Sequence, residues 1–370
     1  MATDNDKYFM KMALDLATKG QGFTAPNPMV GAVLVKDGKM VGKGYHEAVG
    51  TAHAEVNAID DAGDQAKGAT LYVTLEPCNH TGRTPPCTEK ILSAGISRVM
   101  VAMNDPNPDV RGGGNDYLKS QGIPVTSGVC EAEARQLNEV FIKYVRTRQP
   151  FVILKCAMTL DGRIATKTGD AKWVSGDASR EYVHQMRHAA DGIMVGIGTV
   201  RSDDPSLTTR LEGTEGRDPT RVILDTRLSI PEDAKVLSLD SPAETLVVTG
   251  PSVSDEKASA IENQGAKVIR ARLKAGRIDL DALMNQLGEM GITSLLVEGG
   301  GTVAASALEA GIVDKINFFY APKILGGDDG VSVCRGTGPE LMKDCVSVEN
   351  IRVRRFQEDV LIEGYVSTQT

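Results

Sequence analysis

No stretch of the sequence approaches the ~20 consecutive apolar residues that a membrane-spanning helix requires, so no membrane span is expected. Cysteine is sparse, six in 370 residues, without the dense spacing of a disulfide framework. Positive charge is short as well: 41 Lys and Arg stand against 49 Asp and Glu, a net charge of −8. Nucleic-acid binding draws most of its affinity from positive charge, which argues against a nucleic-acid partner. The opening residues, Met1 to Met10, lack the apolar region of a signal peptide, and a cytoplasmic location is the expectation. What remains, 41% apolar and 24% charged residues, is the composition of a soluble globular enzyme. At roughly 150 residues per domain, the length predicts two domains.

In the first half, apolar residues at positions 9, 10, 12, 13, 14, 16 and 17 predict a helix that Gly20 and Gly22 stop. Met29 to Val35 reads as a buried strand and Met40 to His46 as its hairpin partner across Lys36-Asp37-Gly38-Lys39. A helix is expected over 53–62, a strand over 70–75, a helix from Cys87 and a strand over 97–103. Further on come a helix ending near Gln121, a strand over 123–126 and one closing helix over 131–146.

These elements frame His53-Ala54-Glu55, Pro77-Cys78 and Pro86-Cys87. One histidine and two cysteines suit a zinc ion that keeps its fourth position for water, and Glu55 is left over to shuttle protons. Residues i and i+2 lie ~200° apart on a regular helix, so His53 and Glu55 converge only if His53 sits at the helix entrance. Cys78 follows a strand, and Cys87 opens a helix whose dipole stabilises a thiolate. His-x-Glu with a downstream Pro-Cys and a second Cys is the signature of zinc nucleobase deaminases, in which the glutamate is not a ligand. That signature usually spaces its cysteines Cys-x-x-Cys, whereas eight residues separate Cys78 from Cys87.

Charge and proline at 147–150 mark a boundary, giving domains 1–148 and 149–370. Beyond it, apolar strands at 151–155, 192–196, 220–225, 244–249, 266–269 and 293–298 alternate with helical stretches. Alternation of this kind predicts a mainly parallel sheet with helices on both faces. Residues 316–320 read as a further strand, and 351–357 with 360–367 as an antiparallel edge hairpin. Gly299-Gly300-Gly301 follows a strand and opens a helix, a place where backbone amides approach a phosphate.

Thr74 to Cys87, with its long inter-cysteine loop, resembles the zinc motif of the bifunctional riboflavin-biosynthesis deaminase/reductase family. Pro26-Asn27-Pro28 and Gly44-Tyr45-His46 are similar to that family's substrate-pocket segments, and the resemblance extends over nearly the whole chain. In the second half it rests on Lys155 with Leu160-Asp161-Gly162-Arg163, Gly198-Thr199-Val200, Asp203 to Thr208 and Glu298-Gly299-Gly300. It implies an α/β protein with an N-terminal cytidine-deaminase-like α/β/α domain and a C-terminal dihydrofolate-reductase-like α/β domain.

The implied chemistry is removal of the 2-amino group of 2,5-diamino-6-(5-phosphoribosylamino)pyrimidin-4(3H)-one, followed by NADPH-dependent reduction of the ribosyl side chain to ribityl. His53, Cys78 and Cys87 are then the ligands of one zinc ion per chain and Glu55 the proton carrier. Asn27, His46, His80 and Arg83 are implied deaminase substrate contacts, Arg83 suiting a phosphate by its charge. Lys155, Asp203 and Glu298 are the implied catalytic residues of the reductase. Ala157, Trp173, Thr199, Asp203, Thr226 and the three glycines are implied to line the NADPH site, and Arg227 stands next to Thr226 as a candidate for its 2′-phosphate. Ala171, Arg187, Leu207 and Arg210, with Glu298, are implied to hold the reductase substrate. A homo-oligomer is expected. The rival reading, a nucleoside or nucleic-acid base deaminase fused to a nucleotide-binding accessory domain, is disfavoured by the acidic charge and the long loop.

Overall fold

The computed structural model describes residues 2–80, 85–108, 113–213 and 216–367. The chain divides into two compact units, Met1–Arg148 and Gln149–Thr370.

In the first unit, helix α1 (Asp4–Ala17) begins at Thr3, whose hydroxyl and backbone N–H pair with the Asp6 carboxylate as a capping box. Asp6 also accepts a hydrogen bond from the Tyr72 hydroxyl at 2.9 Å, which ties the helix to the sheet. Strands β1 (Gly31–Lys36) and β2 (Lys39–Tyr45) form the expected hairpin, with Asp37 and Gly38 both at the positive φ of a two-residue turn. Helix α2 (Ala54–Ala62), β3 (Thr70–Leu75), α3 (Cys87–Ser93), β4 (Arg98–Met103), α4 (Gly114–Ser120) and β5 (Val125–Ser127) follow. The sheet runs β2-β1-β3-β4-β5, with β2, β1 and β3 antiparallel and β3, β4 and β5 parallel. Strands β1, β3 and β4 are buried along all but one end residue, as strands covered on both faces require.

Helix α2 lies directly on β2 because two glycines leave room for its backbone. A β-carbon on Gly42 would stand 2.4 Å from the Ala58 carbonyl oxygen, and one on Gly44 would stand 2.5 Å from the Ala58 nitrogen. The single helix expected over 131–146 is instead two, α5 (Glu131–Leu137) and α6 (Glu139–Thr147), parted at Asn138. Asn138 is buried, and its side-chain amide accepts from Met29 N at 2.9 Å and donates to Met29 O at 3.0 Å. Satisfying that stretch of backbone outweighs continuing the helix.

The second unit opens with β6 (Phe151–Thr159), β7 (Arg163–Ala165), α7 (Asp177–Ala189), β8 (Gly192–Gly196), α8 (Ile197–Asp203) and β9 (Thr220–Leu224). Next come β10 (Thr245–Thr249), α9 (Asp255–Glu262), β11 (Lys267–Arg270), the small hairpin β12 (Leu273–Lys274) and β13 (Arg277–Ile278), and α10 (Leu280–Glu289). Strand β14 (Ser294–Val297), α11 (Gly301–Glu309), β15 (Lys315–Ala321), β16 (Val331–Ser332), β17 (Val348–Phe356) and β18 (Asp359–Val366) complete it. The main sheet is ordered β11-β10-β9-β8-β14-β6-β15-β18-β17. It is parallel from β11 to β15 and ends in the antiparallel pair β18 and β17.

Alternation along β6 sorts the two faces. Val152, Leu154, Cys156 and Met158 pack with Leu283, Leu287, Ala304 and Ala307 of α10 and α11, while Ile153 and Ala157 pack with Val183 and Met186 of α7. Ile193 and Val195 of β8 meet Val200 of α8 and Ala258 and Ile261 of α9. No helix among the described residues is long and apolar enough to cross a membrane.

Candidate active sites

His53 is the N-cap of α2, with extended dihedrals (φ −74°, ψ 162°), and this non-helical entry lets its ring and the Glu55 carboxyl point into one space. Cys78 follows the carboxyl end of β3, and Cys87 is the first residue of α3. His53 Nδ1 lies 3.1 Å from Cys87 Sγ and 3.5 Å from Cys78 Sγ, and all three donor atoms fall within 4.8 Å of one another. Tetrahedral zinc with ordinary bond lengths separates such a nitrogen and sulfur by about 3.5 Å, so the donor set fits the ion.

Electrostatics points the same way. The hydrogen bond from Cys87 pulls the Cys78 thiol down to about 4 against opposing burial, and the Cys87 backbone N–H also donates to its sulfur at 3.3 Å. The same side-chain contact, with burial, pushes the Cys87 thiol up. Two sulfurs this close become thiolates together only with a cation between them. Glu55 is buried and in hydrogen-bonding contact with Cys87, and burial, reinforced by the Cys78 charge, raises its carboxyl to about 7.

His46 and Asn27 adjoin the centre. The His46 ring stands edge-on to His53, with centroids 5.5 Å apart. Its Nδ1 is 3.2 Å from the Ala52 carbonyl, which only accepts, so Nδ1 carries the proton and Nε2 accepts from Asn27 Nδ2 at 3.2 Å. Burial lowers the His46 pKa and keeps this neutral tautomer. His80 is exposed beyond Cys78, and Arg83 lies outside the described residues. The sequence reading passed over Glu76, whose carboxylate accepts from Asp105 N at 3.2 Å and Asn115 N at 3.0 Å and so pins the segment after β4 beside Cys78. Its position before Pro77-Cys78 was the available signal.

In the second unit, a cavity of about 900 Å³ opens at the carboxyl ends of the parallel strands. Among the residues in its wall are Lys155, Ala157, Ala171, Trp173, Arg187 and Thr199. Asp203, Arg210, Thr226, Glu298 and the three glycines line it as well. Leu207 does not. Its side chain is buried in the core under α8, at a positive φ, and the Thr208 carbonyl after it accepts from Arg187 Nη1 at 3.0 Å.

Glu298 is gripped by Arg187 through two bonds, Nε to Oε1 at 2.7 Å and Nη2 to Oε2 at 3.0 Å, with Lys155 Nζ at 3.7 Å. Burial by itself would raise this carboxyl, but the two cations hold it down at about 2. Asp203, exposed at the end of α8, makes no ion pair among the described residues. Trp173 is 63% exposed and carries the Arg180 guanidinium over its ring at 4.6 Å.

His184, which no motif signalled, also lines the cavity. Its Nδ1 accepts from Arg210 N at 3.2 Å, and burial together with the Arg187 and Arg210 charges lowers it to about 4.

The three glycines are not equivalent. A β-carbon on Gly299 would stand 2.5 Å from Val303 Cβ, and one on Gly301 would stand 2.3 Å from the Ser332 carbonyl oxygen. At Gly300 its nearest neighbour would be Thr199 Oγ1 at 3.7 Å. Two are therefore demanded by packing, and the third leaves bare backbone at the start of α11.

Comparison with known proteins places these features in context. The family described as "RibD C-terminal domain" matches residues 150–362, and "Cytidine and deoxycytidylate deaminase zinc-binding region" matches residues 3–103. The "Riboflavin biosynthesis protein RibD" of Aquifex aeolicus is 46% identical over 98% of this chain and 99% of its own length. The protein of the same name from Bacillus amyloliquefaciens is 44% identical over 96% and 95%. Among solved structures, Acinetobacter baumannii RibD superposes with a TM-score of 0.88 at 36% identity, covering 98% of this chain and 99% of that one. A diaminohydroxyphosphoribosylaminopyrimidine deaminase/5-amino-6-(5-phosphoribosylamino)uracil reductase from Thermotoga maritima gives 0.87 at 38% identity, with the same coverage.

Proposed function

The chain belongs to the RibD family of riboflavin-biosynthesis enzymes, and we propose that residues 1–148 carry its deaminase step and residues 149–370 its reductase step. The enzyme is bifunctional, acts on small phosphorylated pyrimidines, and takes zinc and NADPH as cofactors. Its first unit is cytidine-deaminase-like and its second dihydrofolate-reductase-like.

The observation that carries the reading is the convergence of His53, Cys78 and Cys87 beside a buried carboxyl that is not one of the three donors. Bound there, zinc supplies Lewis-acid activation of water near neutral pH. Glu55 accepts the proton released as water adds to C2 of 2,5-diamino-6-(5-phosphoribosylamino)pyrimidin-4(3H)-one. It then delivers that proton to the departing 2-amino nitrogen, so that one water is consumed and one ammonia formed. Asn27 and His46 offer the ring a polar edge of fixed sense. His80 and Arg83 are assigned to the ribose phosphate.

In the reductase unit NADPH supplies a hydride. The ribosyl ring first opens, its C1′–O4′ bond breaking as the amino proton passes to O4′ and a C1′=N imine forms. The hydride then adds at C1′ and a proton at the nitrogen, which gives ribitylamino. Lys155, 3.7 Å from the Glu298 carboxylate, is assigned as the donor of that proton, with Asp203 closing the site from α8. Ala157, Trp173, Thr199, Thr226 and Gly299 to Gly301 form the cofactor wall. Arg187, Arg210 and Ala171, with Leu207 acting through its backbone, seat the substrate.

Two coarser expectations join this proposal. A cytoplasmic enzyme agrees with the composition of the chain. A homo-oligomer agrees with β17, the last strand of its sheet, which exposes Ile351 and Val353 beside an unpaired edge. Sedimentation as a monomer at working concentration would remove the latter.

The function is tested by incubating the purified protein with the diaminopyrimidinone phosphate and NADPH while following ammonia and NADPH absorbance together. Ammonia release without NADPH loss overturns the reductase assignment. Neither signal overturns both.

A further inference from the structure

Five arginines line the reductase cavity: Arg180, Arg187, Arg210, Arg277 and Arg335. The first three lie on the α7 side: Arg180 pairs with Asp177, Arg187 with Glu298, and Arg210 donates its backbone N–H to His184. Arg277 and Arg335 stand apart from these. Like Arg210, neither pairs with a carboxylate among the described residues, but both sit against α11, on the face of the sheet opposite α7.

Arg277 is presented by the β12–β13 hairpin, whose turn residues Ala275 and Gly276 both have positive φ, and its Nη1 reaches Ser306 Oγ at 3.5 Å. Arg335 donates its backbone N–H to Gly301 O at 2.9 Å and lays its side chain along that residue. Ser306 lies five residues beyond Gly301, about 7 Å along the helix axis. That rise is comparable to the span of a ribose phosphorylated at both its 5′ and 2′ positions. A dianionic phosphate is the ligand chemistry that two uncompensated guanidinium groups and a hydroxyl select.

We propose that Arg277, supported by Arg335 and Ser306, binds the 2′-phosphate of the dinucleotide and sets the preference of the reductase for NADPH over NADH. The assignment rests on the cofactor passing along Gly300 at the start of α11. Arg227, the candidate suggested by the sequence alone, is exposed and is not part of the cavity wall.

The test is calorimetric titration of the full zinc-loaded chain with adenosine 2′,5′-bisphosphate and with AMP, which differ only in the 2′-phosphate. The wild type is expected to bind the bisphosphate more tightly, and Arg277→Ala to reduce that advantage by about tenfold or more while AMP affinity holds. Arg335→Ala should reduce it by a smaller factor. Thermal unfolding of each variant checks that the unit is folded. If Arg277→Ala lowers both affinities alike, or changes neither, the assignment is overturned. If the wild type shows no preference for the bisphosphate, the assignment falls while the reductase itself stands. If the wild type binds neither nucleotide nor NADPH, the cofactor placement falls with it.

Discussion

Arg187 and Glu298 are joined by two parallel hydrogen bonds, 2.7 and 3.0 Å, in the wall of the reductase cavity. The pair links α7 to the end of β14 and keeps Glu298 ionised at neutral pH beside Lys155. Truncating Arg187 to Ala strands a buried carboxylate, and a loss of about 3 kcal/mol in the stability of the second unit is expected, with reduction abolished. Chemical denaturation, with ammonia release followed in parallel as the readout of the other unit, checks this.

The same pair sets a pH dependence. The Glu298 carboxyl titrates at about 2 in the folded protein, below its ordinary range near 4.5. A depressed carboxylate contributes stability that is complete above the ordinary range and is lost as pH falls toward the folded value. The melting temperatures of wild type and Glu298→Gln should therefore converge between about pH 4.5 and pH 2. A constant difference across that window would contradict the assignment.

Glu55→Gln keeps the shape of the side chain and removes its capacity to carry a proton. Ammonia release should fall by ~10²–10⁴-fold or more while one zinc per chain is retained and NADPH-dependent reduction of the aminouracil is untouched. Zinc lost together with activity would make Glu55 a ligand.

Chelation should separate the two activities. Removing zinc is expected to stop deamination and leave reduction of the deaminated intermediate at its original rate. Cys78→Ser or His53→Ala should reproduce that pattern with a metal content well below one per chain.

Asn138→Ala removes the amide that satisfies both polar groups of Met29, two residues from Asn27. Two partly buried backbone groups are left without their protein partner, at about 2 kcal/mol. Lower resistance of the first unit to urea is expected, with a raised KM for deamination as the Asn27 segment loosens.

How far the sequence announced this molecule varies with the range of the interactions concerned. His53, Cys78 and Cys87 were legible because a helix entrance, a strand end and a helix start each leave a local mark. The alternation of strands and helices in the second half announced its parallel sheet for the same reason. The break at Asn138 was not legible, because its cause is Met29, 109 positions away. His184 and Arg277 gave no signal either: one matters through Arg187 and Arg210 on either side, the other through a two-residue hairpin folded against α11. The run Gly299 to Gly301 was legible as a motif but not in its division of labour, since Val303 and Ser332 are what forbid side chains at two of the three.

Gly42 and Gly44 bring β2 and α2 together backbone to backbone, with no side chain of β2 between them. His53 at the head of α2 and the Glu55 carboxyl two residues further on are thus registered to the peptide frame of the sheet itself. Volume-conserving exchanges among the apolar residues of this unit can accumulate without moving the reacting atoms relative to one another. A single methyl group added at Gly44 would lift the helix off its seat and carry His53 and Glu55 away from both cysteines.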